Sequence, residues 1–241
     1  MSSEFRCVVC GSSYGDKHVR FCVGCWEYGT VLQVGSRARA EVDSVAQVTT
    51  ARDLSRAAWE RLEVPAYPDL VLGTGCLALA VGPAGSGKST CLVRALDGMR
   101  GPVVVQSLEE APGPSLASRL ARVKVRRDDF FLVGRASVDQ LVEVCRRVKA
   151  VALGIDSVQM ASFSADELRH LTVVLPTVRT VWCTSQVNKQ GRAAGREELI
   201  HEADLVLQLD AMKWTLTKSR YQPLGVSGDV LPPEENHGVA A

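Results

Sequence analysis

The run Gly82-Pro83-Ala84-Gly85-Ser86-Gly87-Lys88-Ser89-Thr90 combines residue types that together suit one kind of chemistry. It satisfies the pattern G-x-x-x-x-G-K-[ST] through Gly82, Gly87, Lys88 and Ser89. Glycines let consecutive backbone N–H groups turn inward as an anion-binding nest, and a helix starting there adds the positive end of its dipole. Lys88 can reach the β- and γ-phosphates of a nucleotide, and the Ser89 hydroxyl can ligate Mg2+. The expectation is a site for ATP with Mg2+.

Other polar residues sit where they can complete such a site. Asp156 ends the apolar run that starts at Val151, and a carboxylate at the tip of a parallel strand next to the phosphate-loop strand can hold Mg2+ through water. Glu109 and Glu110 follow the apolar strand starting at Val103, and a carboxylate there can take the proton of an attacking water. Paired acids at the start of a loop are also ordinary solvated surface. Gln186 follows the strand starting at Val181, where its amide can sense a γ-phosphate or simply end the strand. Lys218 and Arg220 are two residues apart and share a strand face. Two such cations can reach a neighbouring subunit's γ-phosphate, as an arginine finger does, although a lone Lys-x-Arg is equally a solvated surface.

A second cluster lies at the start of the chain. Cys7-x2-Cys10 and Cys22-x2-Cys25 have the spacing of a four-thiolate Zn2+ site of the ribbon or knuckle type. With four thiolates the metal has no open position, so the zinc is expected to be structural. The alternative is a redox dithiol, which would want one motif at the start of a helix in a βαβ unit. The other four of the eight cysteines are scattered in apolar contexts and read as small core residues.

These motifs need elements to hold them. Apolar runs of strand length alternate with amphipathic helical stretches, which implies an α/β fold with a mostly parallel twisted sheet. The expected domains are the zinc module over 1–30, a linker over 31–66, a nucleotide-binding core over 67–228 and a disordered tail over 229–241. The linker is expected to hold a short helix from Ala51 to Leu62, ended by Pro65 and Pro68. Ser164 and Glu167 have the spacing of a capping box that starts a helix. The 241 residues carry a formal net charge of only +1, which excludes a global positive field. Any nucleic-acid surface must be local, and the segment 188–196, with Lys189, Arg192 and Arg196 among glycines, is the candidate. Without a long apolar run or a basic-then-apolar start, no membrane association is expected and a cytoplasmic location is.

In this order, the pieces resemble the RadA/Sms family of bacterial RecA-like recombination ATPases, which carry an N-terminal four-cysteine zinc module and then a RecA-type core. The similarity runs over roughly residues 5–225. It includes Phe5-Arg-Cys-Val-Val-Cys-Gly11 and Phe21-Cys-Val-Gly-Cys-Trp26, the phosphate loop, Ser107-Leu-Glu-Glu110, Asp156-Ser-Val-Gln159, Thr184 to Gly191, and Lys218-Ser-Arg-Tyr221. The resemblance implies a RecA-like P-loop core and points to Glu109 rather than Glu110 as the catalytic acid. It implies that Lys218 and Arg220 act between the subunits of a homo-oligomeric ring or filament on single-stranded DNA. Helicase or branch-migration activity in DNA recombination and repair is the implied function. The chain is shorter than the family, lacking its Lon-protease-like domain, and of the Lys-Asn-Arg-Phe-Gly motif it keeps only Lys and Arg. Two alternatives stand beside this. One is a regulatory or partner-loading ATPase whose zinc module grips another protein. The other is a zinc-containing nucleoside kinase, although in those the zinc follows the core.

Overall fold

Seven successive residues buried on both faces make Cys76–Gly82 an interior strand, and the rest of the fold is arranged around it. The structure, a computed structural model, describes residues 5–7, 31–33, 60–109, 113–187 and 197–232, the first two segments as backbone only. The chain divides into two compact units, Met1–Ala58 and Trp59–Ala241. In the first, β1 (Phe5–Cys7) pairs antiparallel with β2 (Val31–Gln33), with Cys7 opposite Val31. Cys10, Cys22, Cys25 and the side chain of Cys7 lie outside the described residues, and so does the zinc module they would form.

The second unit begins with a small hairpin of β3 (Arg61–Glu63) and β4 (Val71–Gly73). There follow β5 (Cys76–Gly82), α1 (Lys88–Asp97), β6 (Val103–Ser107), α2 (Pro114–Val123), β7 (Phe130–Val133), α3 (Val138–Val148) and β8 (Ala152–Asp156). After these come α4 (Val158–Ala161), α5 (Ala165–Val174), β9 (Thr180–Gln186), α6 (Glu197–Glu202), β10 (Leu205–Asp210), β11 (Lys213–Ser219) and β12 (Ser227–Asp229). The main sheet has eight strands in the order β12-β11-β10-β5-β9-β8-β6-β7. From β10 to β7 all neighbours are parallel; β11 and β12 add antiparallel to the β10 edge. The α/β class and the parallel sheet expected from the alternation are therefore present.

Alternate residues of the strands face opposite sides. Cys76, Ala78 and Ala80 of β5, with Val103, Val105, Ala152 and Trp182, join the core cluster that packs on Cys91, Leu92, Ala95 and Leu96 of α1. Leu168 and Leu171 of α5 are fully buried, and this helix contacts β5 and β9. Small residues beneath α1 let it lie close to the sheet. At Gly154 a Cβ would come 2.6 Å from Leu96 Cδ1 and 3.0 Å from Leu92 Cδ2, so nothing larger fits under the helix. The turn after α1 is fastened by Arg127, whose guanidinium donates to the carbonyls of Asp97 (2.9 Å), Met99 (2.5 Å) and Gly101. The predicted capping box starts α5, with Glu167 N–H donating to Ser164 Oγ at 3.1 Å and Ser164 N–H to Glu167 Oε2 at 2.8 Å. The four scattered cysteines are buried and free, as core residues should be.

Three expectations need correction. Leu62 is not the end of a helix: it is the buried middle of β3, because the pairing of Arg61–Glu63 with Val71–Gly73 outweighs a helical period read over a few residues. The second compact unit therefore includes this hairpin, while residues 51–59 of the expected helix lie outside the described residues. The segment after 228 is not all tail, since Val230 and Leu231 are fully buried and Tyr67 Oη donates to the Val230 carbonyl at 3.2 Å. Last, β8 is not next to β5, because β9 runs between them.

Replacing Gly154 with valine is expected to lower stability to urea unfolding by about 1–3 kcal/mol through overpacking against α1. Cα-only neighbours such as Gly134, where a Cβ meets nothing within 4 Å, provide the control: Gly134→Ala should cost well under that.

Candidate functional site

The phosphate-type loop joins β5 to α1, and its backbone has the form its glycines allow. Gly85 and Gly87 adopt φ of +76° and +95°. A Cβ on Gly82 would lie 2.4 Å from the Leu209 carbonyl oxygen, so β10 closes against the start of the loop only because this residue is glycine. Gly87 caps α1 without any side-chain acceptor, which leaves the first helical N–H groups turned to the cavity in front of the loop. Lys88 folds back across this loop and donates to the Pro83 carbonyl at 2.7 Å. Burial holds its ammonium below the usual lysine range, against the opposing attraction of Glu109 and Asp156.

Register then gathers the other groups. In the sheet Gly82 is opposite Gln186 and Ser107 is opposite Asp156, so the C-terminal tips of β5, β9, β8 and β6 form one row. Asp156 is buried at that row, and one of its oxygens, Oδ1, accepts from Thr184 Oγ1 at 2.6 Å and from Ser89 Oγ at 3.1 Å. Its other oxygen faces Arg119 Nη1 at 3.5 Å. Gln186 Nε2 donates to Glu109 Oε1 at 3.1 Å, bridging the tips of β9 and β6. Gln159, on α4, donates to Ser185 Oγ at 2.6 Å and braces the end of β9. A cavity of about 420 Å3 opens between the loop and α2, with Lys88, Ser89, Glu109, Arg119 and Gln186 in its walls.

The insertion of β9 therefore changes how Asp156 is positioned rather than whether it meets the loop: Ser89 reaches it across β9, and Thr184 of β9 fixes its orientation. Burial pushes the Asp156 carboxyl above the usual carboxylate range, with the Glu109 charge adding to this. The Thr184 and Ser89 hydroxyls and the Arg119 charge offset only part of the effect. A buried carboxylate still short of positive charge, next to a serine hydroxyl, is the hard-oxygen donor set that suits Mg2+. The inward-facing amides and Lys88 suit a phosphate tail in the same cavity.

Of the residues singled out in the sequence, the structure brings together Gly82 to Thr90, Glu109, Asp156 and Gln186. It does not bring Lys218 and Arg220 to them. Ser219 pairs with Leu205, which pairs with Ala78 near the start of β5, so this end of β11 lies at the opposite edge of the sheet from the loop. Lys218 Nζ donates to the carbonyls of Ile200 (2.8 Å) and His201 at the end of α6, and Arg220, just past β11, pairs with buried Asp204 at 3.2 Å. Glu110, Lys189, Arg192 and Arg196 lie outside the described residues. Among the described residues no group of three or more His, Cys, Asp or Glu could hold a metal, and no helix is long and apolar enough to cross a membrane.

Thr184 and Arg119 were not foreseen. Thr184 is a buried polar residue in an apolar strand, two positions before Gln186 and on the same face. That spacing is a readable signal. Arg119 belongs to the polar stripe Ser115, Ser118, Arg119, Arg122 of α2, which by periodicity alone is indistinguishable from a solvated face. No protein-family model matches this chain, and no curated protein does either.

The raised Asp156 carboxyl has a consequence for stability. The folded state binds this proton more tightly than the unfolded chain, so the stabilisation it brings is complete below the ordinary carboxylate range and is lost as pH rises through the folded value. Above the folded value both states are ionised and folding bears the desolvation. Asp156→Asn is therefore expected to gain stability relative to the parent as pH rises from about 4, near the unfolded carboxylate value, in urea titrations across the neutral and acid range.

Proposed function

We propose that this protein is a Mg2+-dependent ATP hydrolase with a RecA-like P-loop core, working as an oligomer on single-stranded DNA. What carries the proposal is the hydrogen bond from Ser89 to buried Asp156, with Ser89 lining a cavity whose walls also hold Lys88, Glu109 and Gln186. In this reading the loop amides and Lys88 hold the phosphates, and Ser89 and Asp156 hold Mg2+, which supplies charge neutralisation on the β- and γ-oxygens when bound. Glu109 is the base for the attacking water, and Gln186, bonded to it, reports the γ-phosphate to β9. Support for the carboxylate role comes from the Gln186–Glu109 hydrogen bond, which ties the exposed Glu109 side chain to the tip of β9 in the cavity wall.

The DNA part rests on the resemblance and on the basic segment 188–196. This segment follows directly after Gln186 and Val187, so a strand of DNA held by Lys189, Arg192 and Arg196 would pull on the residue that touches Glu109. Lys218 and Arg220, at the far edge of the sheet from their own loop, can meet a γ-phosphate only in a neighbouring subunit. Zn2+ on Cys7, Cys10, Cys22 and Cys25 would be structural or would grip a protein partner.

Two measurements test this. Lys88→Ala should abolish nucleotide binding, whereas Glu109→Gln should retain it and lose roughly 100-fold or more in turnover. If the Glu109→Gln protein hydrolyses ATP at the parental rate, the assignment of the base is wrong. Single-stranded DNA should raise the parental ATPase rate, with the stimulation fading as salt rises; no stimulation at low salt would leave a partner-loading ATPase as the better reading. A mixture of Arg220→Ala and Lys88→Ala proteins, each inactive alone, should recover activity if the site is shared between protomers.

A further inference from the structure

The turn between β10 and β11 is held in a conformation its residues do not favour. Asp210 pairs with Lys213, which leaves Ala211 and Met212 as a two-residue loop, and their φ angles are +43° and +62°. Hairpin loops with both φ angles positive ordinarily take Asn-Gly, because other L side chains strain the left-handed region. Strain of this kind persists where the surroundings enforce it. Here the surroundings are the phosphate-type loop and the segment after β12. Met212 N–H donates to the Ser86 carbonyl at 3.3 Å, and the Met212 carbonyl accepts from Val230 N–H at 2.8 Å. The same turn brings Met212 Sδ against Gly87, where an added Cβ would come 2.7 Å from the sulfur. Met212 also lines the cavity that holds Lys88.

Sheet order fixes which end of the cavity this is. Gln208 is opposite Val81, so the end of β10 and the turn after it sit at the same edge of the sheet as the loop. On one side β5 is flanked by β10; β9, which carries Gln186, and β6, which Glu109 follows, lie on the other. A triphosphate with its terminal phosphate at Glu109 and Gln186 and its inner phosphates on the loop therefore leads its nucleoside toward the β10 side. Among the described residues that line the cavity, Met212 is the only large apolar side chain. Its backbone donor and acceptor are both in use, so what it offers a ligand is the thioether. A polarisable sulfur suits the face of an aromatic ring and gives a phosphate oxygen no donor.

We propose that Met212 is a nucleoside-binding residue: its thioether packs against the face of the base, so the cavity takes a nucleoside triphosphate in preference to an inorganic polyphosphate. This rests on the triphosphate reading given above and adds the other end of the ligand to it. The strained turn keeps the sulfur in place before the base arrives, so little side-chain freedom is lost on binding.

The test compares the full chain with Met212→Ala, Met212→Gly and Met212→Leu. Calorimetry measures affinity for a non-hydrolysable Mg-ATP analogue and for Mg-tripolyphosphate, and thermal melting without ligand reports folding. The parent should bind the nucleotide more tightly than tripolyphosphate. Met212→Ala should lose roughly three- to tenfold in nucleotide affinity and nothing in tripolyphosphate affinity. Met212→Gly relieves the left-handed backbone while removing the same thioether, so it should show the same selective loss and carries the comparison if the alanine protein does not fold. Met212→Leu, apolar and of similar size, should keep most of the nucleotide affinity. A side chain that only props the loop would weaken both ligands together in the alanine and glycine proteins; that result, or an unchanged nucleotide affinity, overturns the proposal. A parent that binds the two ligands equally also overturns it, and leaves the phosphate site standing. A parent that binds neither removes the triphosphate reading, and the proposal with it.

Discussion

Everything in the candidate site depends on one buried carboxylate. Asp156 sits at the tip of an interior strand, two hydroxyls donate to the same oxygen, and its ionisation is opposed by burial. It can be held there only because α1 lies close enough for Ser89 to reach it. That closeness comes from the small residues under the helix, with Gly154 two positions before Asp156 on the same strand and the same face. The packing of a helix on a sheet thus sets the distance between a loop hydroxyl and a strand-end acid. A core of fully buried leucines and Trp182 supplies the stability that an undercompensated acid removes.

Arrangement of the strands adds a second constraint. Because β9 runs between β5 and β8, the loop and the acid are not neighbours in the ladder, and something must span the gap. Thr184 does so from within β9 and Ser89 from above it. The same strand ends in Gln186, which bonds Glu109 at the tip of β6, and is braced from α4 by Gln159. One strand therefore touches both acids of the site, so a shift of β9 by a fraction of its length would disturb both at once.

How far this was visible in the chain depended on the range of the interactions involved. The strand–loop–helix around Gly82–Thr90, the apolar strands and the Ser164–Glu167 box are local: residues a few positions apart carry the pattern, and these elements lie where expected. Leu62 was assigned to a helix since nothing nearby announces that its partner is Leu72. Val230 looked like part of a polar tail because its hydrogen-bond partners, Tyr67 and Met212, are distant in the chain. The order of strands in the sheet has no local signature, which is why β8 was expected beside β5. Arg119 was missed for a related reason: on α2 a polar stripe looks the same whether it faces bulk water or the wall of a cavity.

The two carbonyls that receive Lys218 belong to the last turn of α6, a helix of six residues whose end is also held by Arg169 on the Glu202 carbonyl. One ammonium cannot serve that turn and an outside anion together. Drawing Lys218 away to another molecule would therefore remove one of the two cations that fasten this turn, leaving it to Arg169.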